Sequence, residues 1–267
     1  QKEVEITIFI SDDLSTDKTI EYLQDIYKDF KNIVYLPSGS KFGGAGKNFF
    51  RLIKDVDFSS FDFISFVDQD DIWYEDKLIR AIKMIEDKQL DAYSSNILAF
   101  WEDGKEMIIN KSSLQARYDY LFEAAGPGCT YLLKKDLAIS LQNFICENWE
   151  EVNKVELHDW FIYAFARENN YKWHIDEKPS MRYRQHTSNQ VGANDGLKAK
   201  LKRLKKVFSS WYRDEIIKII KVLSLENKYK FSKYILNKSY INNLLLLKYS
   251  FEFRRNKKEK LFLSLLI

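Results

Sequence analysis

The chain has 267 residues, 45% hydrophobic and 15% aromatic, enough to bury a sizeable core and too apolar for a disordered polymer. Its net charge of +3 is unevenly spread: Lys198 to Lys260 hold 19 Lys and Arg against 5 Asp and Glu, a net of +14, and the remainder carries −11. Two cysteines, Cys129 and Cys146, are too few for a disulfide framework and point to a reducing cytoplasm, and no run reaches the roughly 20 apolar residues of a membrane-spanning helix. No signal peptide is visible at the start, which is Gln1.

Val4 to Ile10 reads as a strand that ends in the acidic turn Ser11-Asp12-Asp13-Leu14-Ser15-Thr16-Asp17, and Lys18 to Phe30 has helical spacing. Ile33 to Leu36 is a second strand. A glycine-rich loop, Phe42-Gly43-Gly44-Ala45-Gly46, leads into a helix from Lys47 with Phe49, Phe50, Leu52 and Ile53 on its apolar face. The apolar run Phe61 to Val67 predicts a buried strand that ends in Asp68-Gln69-Asp70-Asp71, with a helix from Glu75 to about Lys88. Strand and helix alternate here as in a parallel doubly wound sheet. Ala92 to Phe100 and Lys105 to Asn110 read instead as a hairpin around Glu102-Asp103-Gly104. Gly126 to Leu133 is a turn entering a strand, and helices are expected over Asp136 to Ile145 and from about Leu157. Tyr171 to Ile175 and Ser180 to Tyr183 are short strands, and from Leu197 everything reads as helix.

Acids at the end of a buried strand are costly unless something cationic meets them. In an open α/β sheet that edge is the ligand crevice, which suits a divalent cation carrying a phosphorylated substrate. A helix cap would account for one aspartate, Asp70 or Asp71, but not for all of them. Asp12 and Asp13 would face the same crevice; the plainer reading of that turn is an Asx-turn with an N-cap. The glycine loop with Lys47 and Asn48 could bring N–H groups and a cation to phosphate, although it lacks P-loop spacing. Asp159, between His158 and Trp160, sits where a helix dipole stabilises an acid, and is equally a candidate general base. Arg184 would suit a diphosphate as a bidentate donor, beside His186.

Ser11-Asp12-Asp13-x-Ser15-Thr16-Asp17, Lys47-Asn48-Phe49, Asp68-Gln69-Asp70-Asp71-x-Trp73-x-x-x-Lys77-Leu78, Gly128-Cys129-Thr130, His158-Asp159-Trp160 and Tyr183-Arg184-Gln185-His186 occur in one order. Together they resemble the family 2 glycosyltransferases, most of all the bacterial rhamnosyltransferases, over roughly Val4 to Ala193. The resemblance implies an α/β GT-A type fold with a mostly parallel sheet flanked by helices, over residues 1–194, and a basic all-helical C-terminal region over 195–267. It implies inverting transfer of a sugar, rhamnose from dTDP-rhamnose, onto a hydroxyl of a saccharide or lipid-linked acceptor in cell-surface polysaccharide synthesis. Asp12, Asp13, Lys47, Asn48, Asp68 and Arg184 would then contact the nucleotide-diphosphate donor. Asp68, Asp70 and His186 would hold Mg²⁺ or Mn²⁺, and Asp159 would be the base. Gly128, Cys129, Thr130 and Trp160 would line the acceptor side, with Trp73 a second candidate for stacking on a sugar.

Two features depart from the family pattern. Members open with a strand and helix carrying a Ser-Thr-Tyr-Asn-like motif, which nothing before Val4 supplies, so either residues precede Gln1 or the nucleotide site is incomplete. Leu14 stands where the family has glycine, and a left-handed turn would be strained there. A catalytically inactive binding or scaffold protein is the alternative. The basic tail, with Lys202, Arg203, Lys205, Lys206, Arg254, Arg255, Lys257 and Lys258, would suit anionic lipid at the inner face of a membrane. Nucleic-acid binding leaves the acidic crevice unexplained and is not expected.

Overall fold

The β-branched run near the start forms only a short strand, β1 (Ile8–Ile10), paired in parallel with β2 (Ile33–Tyr35) through the connecting helix α1 (Thr19–Tyr27). The computed structural model describes residues 1, 3–37, 39, 41–185 and 210–260. Helix α2 (Ala45–Asp55) puts Gly46, Phe49, Phe50 and Ile53 on one buried stripe, the expected apolar face. Strand β3 (Phe63–Ser65) ends just before the acids.

The helix expected from Glu75 to about Lys88 is present, but the stretch between it and the acids differs from expectation. A two-residue strand, β4 (Ile72–Trp73), intervenes, and α3 (Lys77–Asp87) begins later with Asp76 before it. The backbone after Asp71 is claimed by a sheet neighbour, so Asp71 caps no helix. The stretch Ala92 to Phe100 likewise divides at Asn96 into β5 (Ala92–Ser95) and β6 (Ile97–Phe100), which lie in different sheets. The Asn96 side chain meets the polar groups this bend frees: its Oδ1 accepts from the N–H of Lys111 at 2.6 Å and Ser112 at 3.1 Å, and its Nδ2 donates to Glu177 O at 2.8 Å. Strand β7 (Glu106–Ile109) completes the predicted hairpin with β6, Phe100 opposite Glu106.

The rest of the body is β8 (Leu132–Lys134), α4 (Lys135–Glu147), α5 (Trp149–Val152), α6 (His158–Glu168), β9 (Trp173–Asp176) and β10 (Met181–Arg184). The two larger sheets have the orders β4-β10-β6-β7 and β3-β8-β5-β9. The α/β class is as expected, but the described ladders are mixed, three parallel and four antiparallel, rather than mostly parallel. The reason is local: β8 and β4 run against β3 and β10, returning a turn to the sheet edge where the acids lie.

Beyond the body, α7 (Trp211–Val222), α8 (Lys230–Leu236) and α9 (Tyr240–Leu246) are helices, as the apolar spacing indicates. They do not form a core of their own. Ile216, Ile219, Ile220, Phe231, Ile235 and Phe253 belong to one cluster with Phe50, Leu121, Leu141 and Phe161 of the body. Arg254 and Arg255 turn inward, Arg255 at 5% exposure, so neither presents a charge to a lipid surface. Lys202, Arg203, Lys205 and Lys206 lie outside the described residues.

Candidate active site

The two antiparallel ladders build the site. In the β3–β8 pair Ser65 faces Leu132, and extending that register three residues beyond the ladder sets Asp68 opposite Cys129. In the β4–β10 pair Met181 faces Trp73, and the same extension sets Asp71 opposite Tyr183 and Asp70 opposite Arg184. The acidic stretch is therefore held between the 3-10 turn Gly128–Thr130 on one side and the end of β10 on the other.

Within the stretch, the Asp71 N–H reaches toward the Asp68 carbonyl at 3.5 Å, a turn that brings the two side chains together. Ligand atoms of Asp68, Asp71 and Cys129 lie within 4.8 Å of one another. The expected metal pair was Asp68 with Asp70. Among the described residues the group that gathers contains Asp71 instead, because the pairing of β4 directs it inward. One Asp71 oxygen accepts from the Arg184 N–H at 3.2 Å, while Oδ2 is buried without a hydrogen-bond partner in the structure. Burial pushes the Asp71 carboxyl up to about 7, opposed by the Cys129 thiol and the Arg184 N–H and reinforced less by the Asp68 and Asp70 charges; burial and the Asp70 charge raise Asp68, opposed by the same thiol. The Cys129 thiol is raised too, by burial and then by these carboxylates, and so stays neutral. Two carboxylates whose ligand atoms lie this close suit a hard divalent cation, whereas a neutral thiol is a poor ligand for one. The carboxylates fit the group, and Cys129 forms a wall beside them. His186 lies outside the described residues.

Asp159 stands in the first turn of α6. Its Oδ1 accepts from the Trp160 N–H at 2.7 Å, and its carbonyl accepts from the Tyr131 hydroxyl at 3.2 Å. Burial raises its carboxyl to about 6, opposed by that N–H and by Lys111 and reinforced by the Asp68 charge. This value is close to what a base working near neutrality needs. A Cβ on Gly128 would lie 3.3 Å from Asp159 Cβ and 2.5 Å from His158 Nε2, so only glycine lets the turn approach α6 this closely. His158 stacks on Phe49, ring centroids 4.2 Å apart, with Nε2 buried and unpartnered in the structure. Burial drives its imidazole down to about 3, so the ring is neutral and carries no competing charge beside Asp159.

Other expected residues are placed differently. Asp13 accepts from the N–H groups of Phe42, Gly43 at 2.8 Å and Gly44 at 3.2 Å, so it clamps the glycine loop. Asp12 closes its own turn on Ser15. Asn48 donates to Ser11 O at 2.8 Å, tying the end of β1 to α2, and Lys47 is half-buried beside it. Arg184 donates through Nε to Asp70 O at 2.9 Å and lies over the Phe100 ring. Trp160 is a core residue at 3% exposure; its indole N–H donates to Tyr120 O at 3.0 Å and its ring stacks on Tyr212, so it offers no face to an acceptor. Thr130 is buried, with its hydroxyl on Pro127 O at 2.8 Å.

Two residues at the site had no assigned role in the sequence reading. Tyr183 lies opposite Asp71 in the extended register, and burial, with the charges of Asp68, Asp71 and Asp159, raises its phenol. Lys77 is buried at 1% exposure under Trp73, its Nζ donating to Cys129 O at 3.0 Å. The alternation of β10 and the Trp73-to-Lys77 spacing carried the signal for both.

Residues 1–188 match the model described as Glycosyl transferase family 2. A curated relative, "dTDP-rhamnosyl transferase RfbG" of Shigella flexneri, is 48% identical over 268 residues, covering 100% of this chain and 92% of that protein. Among solved structures, S. aureus TarS 1-349 aligns at a TM-score of 0.48 and 14% identity, over 92% of this chain and 70% of that one. The same TarS fragment in complex with UDP-GlcNAc aligns at 0.47 and 16%, over 92% and 72%. Likeness of that extent adds nothing to the fold already described.

Proposed function

Because this chain belongs to glycosyl transferase family 2, we propose that it transfers rhamnose from dTDP-rhamnose to a hydroxyl of a saccharide or lipid-linked acceptor, with inversion at the anomeric carbon. The observation that carries the reading is the meeting, across Gly128, of a half-buried carboxylate near pH 6 with a two-carboxylate group suited to a divalent cation. The relative of Shigella flexneri, named a dTDP-rhamnosyl transferase, supplies the sugar and nucleotide.

Asp159 takes the proton from the acceptor hydroxyl as its oxygen bonds to the anomeric carbon. The bond from that carbon to the diphosphate breaks with its electron pair on the departing dTDP. A single displacement of this kind inverts the configuration and leaves no covalent intermediate. Asp68 and Asp71 would hold Mg²⁺ or Mn²⁺, which when bound neutralises charge on the leaving diphosphate. The neutral His158 adds no charge beside the Asp159 carboxylate. Asp13 keeps the glycine loop closed on the nucleotide side, and Arg184 braces the acidic stretch through the Asp70 carbonyl.

The test is rhamnose transfer from dTDP-rhamnose, assayed with and without Mg²⁺ or Mn²⁺, on the intact chain and on Asp159→Asn. Transfer should require the ion and vanish in the variant, while dTDP binding by calorimetry persists. Full turnover by Asp159→Asn sinks the base assignment. An intact chain that binds no dTDP in the presence of Mn²⁺ favours a scaffold over an enzyme.

A further inference from the structure

Lys77 is the first residue of α3 and is 1% exposed. A buried ammonium is costly, and at a helix N-terminus it also opposes the dipole. Packing does not require it: Leu78, Ala81 and Ile85, its neighbours on α3, are apolar, and a methionine would fill the same space. Its two contacts define its place. Nζ donates to Cys129 O at 3.0 Å and sits 3.9 Å from the centroid of the Trp73 ring, which gives the cation an aromatic seat. Cys129 is the middle residue of the turn whose first residue, Gly128, abuts Asp159 and whose thiol faces Asp68 and Asp71.

We propose that Lys77 is a positioning residue: through the Cys129 carbonyl it holds the Gly128–Thr130 turn at the spacing from Asp159 that acceptor attack requires. The inference builds on the transferase reading above. Burial pulls the Lys77 amine down to about 7, and charged or neutral it donates to the Cys129 carbonyl; without it that buried carbonyl loses its donor and the turn relaxes away from α6. The acceptor side suffers, and the nucleotide side does not.

The experiment uses the full chain with Lys77→Met, and a Cys146→Ser background for thiol labelling, since Cys146 is exposed and Cys129 buried. Rhamnose-transfer kcat should fall about 10- to 100-fold, as for residues that orient a catalytic group indirectly. The dTDP affinity by calorimetry should be unchanged, and Cys129 should be alkylated faster by iodoacetamide. A folded variant with wild-type kcat, with Cys129 as slow as wild type, or with dTDP affinity falling in step with kcat overturns the proposal. If Lys77→Met does not fold, Trp73→Leu, which removes the seat and keeps the ammonium, decides the matter. Faster Cys129 labelling and lower kcat at unchanged dTDP affinity support the assignment, and wild-type values overturn it. If the intact chain neither binds dTDP nor transfers rhamnose, the transferase reading fails. The labelling arm then still reports whether Lys77 holds the turn.

Discussion

If Asp159 is the base proposed above, its proton decides when the site can work. With its carboxyl raised to about 6 by burial, the base is ionised only above that pH, so kcat/KM should climb through about pH 6 and level off toward neutrality. The same shift has a stability consequence of defined sign. Between the ordinary carboxylate value, about 4, and 6 the folded chain holds a proton that the unfolded chain has released, so this group makes stability fall as pH rises through that window. The rate dependence is read from a pH–rate profile of the intact chain, and Asp159→Asn should remove this group's share of the stability dependence, read from urea midpoints across pH. Leu14 presents strain of a different origin. Its φ of 58° is left-handed, as the glycine expected there would adopt freely. Leu14→Gly should raise stability by up to about 1 kcal/mol, the gain in backbone strain exceeding the entropy lost, as a shift in the urea midpoint. These residue-scale properties were partly legible: Asp159 and Leu14 stood out from motif and turn, whereas Asp71 looked like a cap. What made it a ligand candidate was the neighbouring strand, which no local pattern reveals.

At the scale of elements, α2 is the lever that links the first acidic turn to the base. Asp13 holds the loop that begins it, Phe49 stacks on His158, and Gly46 lies against the chain entering α6. A Cβ at Gly46 would sit 2.1 Å from Glu156 O, a backbone atom that cannot swing aside. Gly46→Ala should therefore displace the start of α6, costing about 1–3 kcal/mol in stability and most of the transfer rate, measured by denaturant unfolding and kcat. The helices and most strands were readable from periodicity. The division at Asn96 and the two-residue β4 were not, since both result from sheet pairing between segments more than 70 residues apart in sequence.

For the whole molecule, the described part of the basic tail, residues 210–260, shares its core with the body. Asp119, fully buried, accepts from Tyr163 at 2.8 Å and pairs with Arg255 at 2.8 Å and Arg167 at 3.3 Å, and Glu123 pairs with Arg255 at 3.1 Å. Among the described residues, removing Arg255 leaves buried Asp119 paired only with Arg167 and Glu123 only with the more distant Arg254, so their charges are poorly compensated. Arg255→Met should cost about 3–5 kcal/mol and lower the melting temperature, with a single cooperative transition for body and tail by circular dichroism and tryptophan fluorescence. The charge asymmetry in the sequence correctly marked the tail as distinct in composition. It could not show that two of its arginines are consumed internally, since charge counts do not record which carboxylates lie opposite.

The sequence by itself determined the α/β class, the helices over the described part of the tail and the family, because these are written in local periodicity and motif order. The tertiary structure alone decided which acids lie together. Side chains remote in the chain meet only through strand register, and here two antiparallel strands put Cys129 against Asp68 and Tyr183 against Asp71. It also decided that Trp160 is core and Lys77 is buried, because burial depends on what packs over a residue from elsewhere in the chain.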